Sequence, residues 1–224
     1  VLEVAAARRC GGPRGRMTVA LGLLIAYLAG SFPTAYLLGK AKGVDLGRVG
    51  SGNYGATNVF RNLGKGPATL ALVVDVAKGF LPVELLPRWL TQSGIGPGTF
   101  AVLLAVAAVL GHVYSVFLKF RGGKGVGTAA GAFLALSPWA ILLAAAAWVV
   151  VLAWRRIVSL ASLIGALVLL AAVVALHVRD WPVTWPLVTL TAFLCAFVFW
   201  THRENIGRLL RGEERPIVER GGRA

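Results

Sequence analysis

The chain has 224 residues, 57% of them hydrophobic and only 14% charged, with a mean hydropathy of +0.75. An ordinary soluble domain carries about 25% charged residues, so this balance excludes intrinsic disorder and argues against a water-soluble globule. Lys and Arg number 23 against 9 Asp and Glu, a formal charge of +14. That surplus points to an anionic membrane surface or an anionic substrate. Nucleic acid is the weakest reading, because the cations sit between long apolar runs.

The first sixteen residues, VLEVAAARRCGGPRGR, precede Met17, the only methionine in the chain. The expectation is that Met17 is the natural start and that 1–16 is a non-native or disordered extension. An integral-membrane domain then covers 17–217, and 218–224 forms a disordered tail. A cleaved signal peptide is the lesser alternative, since the uncharged run from Met17 to Gly39 exceeds the usual ~7–15 residues of a signal core.

Further apolar runs cover 66–87, 99–118, 125–154, 157–178 and 181–201. Each is long enough to span a bilayer once. The exception is 125–154, which as one helix would reach ~45 Å, half again the ~30 Å hydrocarbon core. Charge parity decides how that stretch runs. The segments 40–65, 119–124, 155–156 and the tail after 202 hold 16 of the 23 cations. All fall on one side only if 125–154 is a hairpin, and Ser137-Pro138 is the natural break. The reading is an all-α polytopic membrane protein of about seven spans, with its N-terminus outside and its C-terminus cytoplasmic.

Three segments carry candidate chemistry. In the first cytoplasmic loop Gly50, Gly52 and Gly55 alternate with Ser51, Asn53, Thr57 and Asn58, and Arg61 follows. Glycines let a backbone present successive N–H groups to one point, and a guanidinium suits two phosphate oxygens. The set reads as a phosphate cradle or as a flexible polar loop. No Gly-Lys-Ser/Thr follows at the spacing of a Walker loop. The second loop places Gly122, Gly123 and Gly125 around Lys124 before an apolar helix, whose N-terminus favours an anion. A positive-inside anchor would need the cations but not the glycines. In the tail, His202, Asn205 and Arg208 recur at i, i+3 and i+6 on one helical face. They read as phosphate or hydroxyl ligands, or as part of a basic helix lying on anionic lipid.

Asp75 and Lys78 lie one turn apart inside the second span. Intramembrane charges are costly and are functional or paired. His112 stands alone in the third span and reads as packing or as a ligand. Ser159 follows the Arg155-Arg156 pair. Cys10 and Cys195 make no disulfide framework, and three separated histidines support no metal site. The bare residues leave open a phosphate-handling membrane enzyme or a transporter of an organic phosphate.

The strings GSGNYGATNVFRNLG, DVAKG, GHVYSVFLKFRGGKGVGT and HRENIGRLLRGE resemble the bacterial acyl-phosphate:glycerol-3-phosphate acyltransferases, the PlsY family. The likeness runs from about Met17 to Ile217. Ser115 stands where the family usually has proline, which could loosen that helix end, and Gly127 where alanine is usual. The resemblance implies an enzyme of the bacterial inner membrane with its site facing the cytoplasm. It implies transfer of an acyl group from acyl phosphate to the sn-1 hydroxyl of glycerol 3-phosphate, with no acyl carrier protein, coenzyme A, cofactor or metal required. By matched position, Ser51, Asn53 and Thr57 with the loop amides would hold the acyl phosphate. Arg61, Lys124, Ser159, His202 and Asn205 would hold glycerol 3-phosphate. Ser51, Arg61, Lys124, His202 and Asn205 are the expected catalytic set. Gly50, Gly52, Asn53, Gly55, Thr57, Asn58, Gly122, Gly123, Gly125, Ser159 and Arg208 are expected to bind substrate. His202 has no carboxylate at an obvious partnering position, so the substrate phosphate is the favoured base.

Overall fold

The computed structural model describes residues 13–90, 95–179 and 183–217. These residues are helical and contain no strand. In chain order the helices are α1 (Pro13–Ser31), α2 (Thr34–Ala41), α3 (Ala56–Leu63), α4 (Lys65–Trp89) and α5 (Pro97–Val113). They continue as α6 (Val126–Leu136), α7 (Pro138–Arg155), α8 (Val158–Val178), α9 (Trp185–Thr201) and α10 (Arg203–Leu210), with a 3₁₀ turn at Val116–Leu118 after α5.

The helix ends follow from local chemistry. Pro33 lacks an N–H and separates α1 from α2. Gly64, at φ +86°, divides α3 from α4. Pro97 and Pro138 begin α5 and α7, where a missing N–H costs nothing. The long apolar stretch therefore breaks at Ser137-Pro138, the dipeptide expected from the sequence. Its start and its end lie at one end of the bundle. Lys124, just before α6, bonds Asn205, while the Arg156 carbonyl, just after α7, accepts the N–H of Ile217 at 2.7 Å. The chain thus goes out along α6 and returns along α7. At 11 residues α6 is ~17 Å long, about half a hydrocarbon core.

α1 begins at Pro13, upstream of Met17 and inside the stretch read as an extension. The helix thus continues upstream of Met17 through Arg16, Gly15 and Arg14. Residues 1–12, with Cys10, and residues 218–224 lie outside the described residues.

Among the described residues, four segments are long and apolar enough to cross a membrane: Gly15–Ala41, Pro97–Leu118, Pro138–Arg155 and Val158–Val178. Helices α9 and α10, bent by 61° at their junction, make a fifth if taken together. Leu142, Leu143, Val149, Val150 and Trp154 of α7 face outward. A water-soluble surface would not carry such a stripe, and acyl chains cover it without cost.

Lipid supplies no hydrophobic drive between helices, so close backbone approach holds them together. Two glycine pairs make this possible. A Cβ at Gly30 would lie 2.0 Å from the Ala108 carbonyl oxygen, and one at Gly111 would lie 2.1 Å from that of Tyr27, so α1 and α5 touch backbone to backbone. Gly79 and Gly131 do the same for α4 and α6, at 2.0 and 1.9 Å from Thr128 and Val76 carbonyls. Around these seams Phe100, Leu104, Val109 and Phe133 fill the core. At the end of the α1–α5 seam, Ser115 Oγ donates to the Ser31 carbonyl at 2.6 Å and Tyr27 Oη to that of Tyr114 at 2.7 Å. Ser115 therefore ties down the helix end that its departure from proline would have loosened.

Gly111→Ala should lower the thermal midpoint in lipid or detergent, since overpacking against backbone costs about 1–3 kcal/mol. Gly98→Ala, also in α5 but with nothing within 4 Å, should leave it unchanged.

Candidate active site

The loop between α2 and α3 is built around Asn58. This side chain is 2% exposed. Its Nδ2 donates to the carbonyls of Leu46, Val49 and Asn53 at 3.0, 3.2 and 2.9 Å, and its Oδ1 accepts the N–H of Ser51 at 3.0 Å. Asn62 Nδ2 adds a second donor to Oδ1 at 3.0 Å. Gly50 and Gly52 are left-handed, at φ +62° and +63°, where any other residue would be strained. A Cβ at Gly50 would also fall 2.2 Å from Asn58 Oδ1.

Two expectations change here. Asn58 does not offer its amide to a ligand, because all of its hydrogen-bonding capacity goes to the loop. The N–H groups of Ser51 and Gly52 do not converge outward either. One goes to Asn58 and the other to the Val49 carbonyl at 3.1 Å. What the loop presents outward is the side chains of Ser51 and Asn53. Gly55 caps α3 in extended geometry, and Thr57 sits half-buried in its first turn.

The second loop rests on the end of α5. The N–H of Gly123 donates to the His112 carbonyl at 3.2 Å. Gly122 packs on that same carbonyl, and Gly123 packs on the His112 ring. Gly125, at φ +83°, turns the chain into α6. Lys124 projects from this turn and donates from Nζ to Asn205 Oδ1. Burial lowers the Lys124 ammonium to about 8, with Arg208 and Arg61 adding to the fall and Glu214 and Glu204 opposing it.

The tail is not one continuous face. His202 ends α9 and begins α10, at the 61° joint. Its Nδ1 lies 2.8 Å from the Val198 carbonyl, so Nδ1 carries the proton and Nε2 the lone pair. Burial lowers the ring to about 4, reinforced by the Lys124 charge and opposed by the Val198 bond. His202 is therefore neutral at pH 7. Asn205 and Arg208 do share a face of α10, and both turn toward Glu214.

Glu214 has no precedent in the sequence reading. The segment after α10 folds back and buries this carboxylate among the expected ligands. Its Oε1 accepts from Ser159 Oγ at 2.8 Å and from Asn205 Nδ2, and its Oε2 accepts from Arg208 Nε at 2.6 Å. Burial raises its pKa, but the bonds from Asn205, Ser159 and Arg208 outweigh that and hold it below the usual range. The available signal was a pair of adjacent acids in a tail otherwise dominated by arginine. Next to it, Arg61 donates to the Arg215 carbonyl at 2.9 Å.

These segments surround a cleft of about 240 Å³. Ser51, Asn53, Gly123, Lys124 and Arg208 line it, with Tyr114 and Thr201. Of the expected catalytic set, Arg61, His202 and Asn205 stand outside this lining rather than in it, as does Ser159. Chemically, the cleft offers the hydroxyls of Ser51, Tyr114 and Thr201, the Asn53 amide and the cations Lys124, Arg203 and Arg208 beside the Glu204 carboxylate, and its cations and neutral donors suit phosphate oxygens.

Asn58→Ala should lower the thermal midpoint and open the 46–55 segment to proteolysis. It strands several buried loop groups at about 1–3 kcal/mol each, although the side chain never reaches the cleft.

The sequence profile of the family described as glycerol-3-phosphate acyltransferase matches residues 20–212. The chain is 45% identical over 199 residues to the glycerol-3-phosphate acyltransferase of Anaeromyxobacter sp. (strain Fw109-5), covering 87% of this chain and 96% of that one. It is 44% identical over 207 residues to glycerol-3-phosphate acyltransferase 1 of Deinococcus radiodurans, covering 91% and 98%. The fold matches the crystal structure of PlsY (YgiH), an integral membrane glycerol 3-phosphate acyltransferase, in its glycerol 3-phosphate form. That match has a TM-score of 0.79 and 38% identity, over 88% of this chain and 94% of that one. The lysophosphatidic acid form of the same enzyme matches at 0.76 and 37%. With the profile spanning most of the described helices and these relatives covered nearly end to end, the chain belongs to the glycerol-3-phosphate acyltransferase (PlsY) family.

Proposed function

We propose that this multi-pass membrane protein transfers an acyl group from acyl phosphate to the sn-1 hydroxyl of glycerol 3-phosphate. The products are 1-acylglycerol 3-phosphate and inorganic phosphate. We place the reaction at the cytoplasmic face of the bacterial inner membrane, in a chain of seven spans, with no acyl carrier protein or coenzyme A taking part. The observation that carries the reading is the convergence of Ser51, Lys124 and Arg208, from three distant segments, on one cleft beside an apolar bundle. Both substrates bear phosphate, and the donor bears an acyl chain that needs lipid-like surroundings.

Acyl phosphate is a mixed anhydride and is already activated, so positioning carries most of the catalysis. Holding two reactants in register supplies up to ~7–11 kcal/mol. Ser51 and Asn53 bind the donor's phosphate, and Lys124, with Arg61 and Arg208, binds that of glycerol 3-phosphate. Donors aimed at the departing phosphate and the developing oxyanion add to this. The sn-1 oxygen attacks the acyl carbon, the C–O bond to phosphate breaks, and the hydroxyl proton passes to a phosphate oxygen. His202, at about 4, is a weaker base than a phosphate monoester whose second pKa is about 6. Its Nε2 lone pair orients a hydroxyl instead.

Purified protein in lipid, given palmitoyl phosphate and glycerol 3-phosphate without metal, should release phosphate only when both are present. Ser51→Ala and Lys124→Ala should each cut the rate by ~100-fold. Counterflow of labelled glycerol 3-phosphate without phosphate release would overturn the enzyme in favour of a transporter.

Two pH profiles test the roles. The free Lys124 ammonium is charged below about 8 and loses its charge above it. Wild-type kcat/KM for glycerol 3-phosphate should therefore fall as pH rises through about 8, and Lys124→Arg should flatten that limb. His202→Gln should lower the rate and keep the profile's shape. Loss of a rising limb on the acid side with His202 would make the imidazole the base.

A further inference from the structure

Directly beneath the Lys124 loop, α4 and α5 bury three ionisable side chains that the proposed chemistry does not use. Asp75, Lys78 and His112 are 6%, 8% and 6% exposed. Asp75 Oδ1 lies 2.8 Å from Lys78 Nζ and 3.5 Å from His112 Nδ1. Lys78 Nζ also donates to the Phe32 carbonyl at 3.2 Å, in the break before Pro33. A local Asp–Lys pair would shield two charges at the lowest cost. It does not require a third partner from another helix.

The opposite edge of the imidazole explains that partner. A Cβ at Gly123 would fall 2.0 Å from His112 Nε2, and one at Gly122 would fall 1.9 Å from the His112 carbonyl oxygen. The ring is thus braced between Asp75 on one side and the glycine turn on the other. The small polar cavity at this junction, about 10 Å³, is lined by Asp75, Lys78 and His112 on one side and Gly122 and Gly123 on the other. Lys124 is the next residue in the chain.

We propose that His112, anchored by Asp75 and Lys78, is a positioning residue that sets the height of the Gly122–Gly123 turn and so delivers Lys124 to the cleft. This inference rests on the reading of Lys124 as a glycerol 3-phosphate ligand. The glycines of the second loop then serve contact with His112, rather than display of backbone N–H groups. Asp75 acts one step further back, through the orientation of the ring.

The test is the split between KM and Vmax, with glycerol 3-phosphate binding measured separately by calorimetry. A residue that only supports folding lowers the active fraction and therefore Vmax, leaving KM unchanged. His112→Ala should raise KM and Kd for glycerol 3-phosphate by about tenfold or more, since a ~1 Å misplacement is that costly. The KM for acyl phosphate should stay within about twofold. Asp75→Asn, which keeps the shape and removes the charge, should move the same constant less.

A double-mutant cycle isolates the contact. Gly123→Ala alone should raise KM by pushing against the ring. In His112→Ala/Gly123→Ala the obstacle is gone, so the pair should be no worse than His112→Ala. Additive effects, or a fall in Vmax with KM and Kd unmoved, overturn the proposal. Wild-type protein that binds glycerol 3-phosphate but releases no phosphate overturns the acyl-transfer reading, and the Kd of His112→Ala still decides this one. Wild-type protein that does not bind glycerol 3-phosphate overturns both.

Discussion

Gathering Arg61, Lys124 and Arg208 at one end of a bundle sets like charges against one another in partly buried surroundings. The Glu214 carboxylate offsets that repulsion. It accepts from Ser159, Asn205 and Arg208, and through Asn205 it reaches Lys124. One buried anion therefore joins α8, α10 and the loop before α6. Removing it would leave these half-buried cations without the carboxylate that balances them, the costly side of a buried ion pair. The same contacts mean that Ser159 and Asn205 are oriented by the protein before any phosphate arrives.

Lipid imposes the second constraint, because backbone groups freed inside a bilayer must find partners within the protein. The break at Pro33 frees the Ser31 and Phe32 carbonyls, and Ser115 Oγ and Lys78 Nζ take them up. These contacts pin the end of α5 against the α1–α2 junction. The glycine seams at Gly30, Gly111, Gly79 and Gly131 bring the same helices close enough for such short polar side chains to reach across. Packing and polar satisfaction are thus one arrangement, and the loops that frame the cleft hang from its end.

The chemistry we propose suits a scaffold of this kind. An activated acyl donor asks the protein for alignment and charge rather than for a nucleophile. Side chains fixed from behind supply both: Ser51 and Asn53 by the Asn58 hub, Lys124 by Asn205 and the turn above His112. In the proposed reaction the neutral His202, tied through Nδ1 to Val198, contributes direction more than basicity. Each ligand is held by a residue that does not itself line the cleft.

Composition, charge parity and the Ser137-Pro138 break were enough to read an all-helical membrane chain whose cationic segments share one side. Those properties depend on hydropathy and on residues adjacent in sequence. The motif strings likewise carried the family and most of the residues around the cleft. What the sequence could not show was which of those side chains face a ligand and which face the protein. Asn58 looked like a donor for phosphate, yet the carbonyls of Leu46, Val49 and Asn53 and the N–H of Ser51 consume it. His202 looked like part of one helical face, yet the helix bends at that residue. Glu214 sits 55 residues from Ser159 and was invisible as its partner. His112 and Asp75 meet from different helices under a turn that neither adjoins in the sequence. Burial and pairing across such distances arise only when helices pack, so the tertiary structure alone decided them.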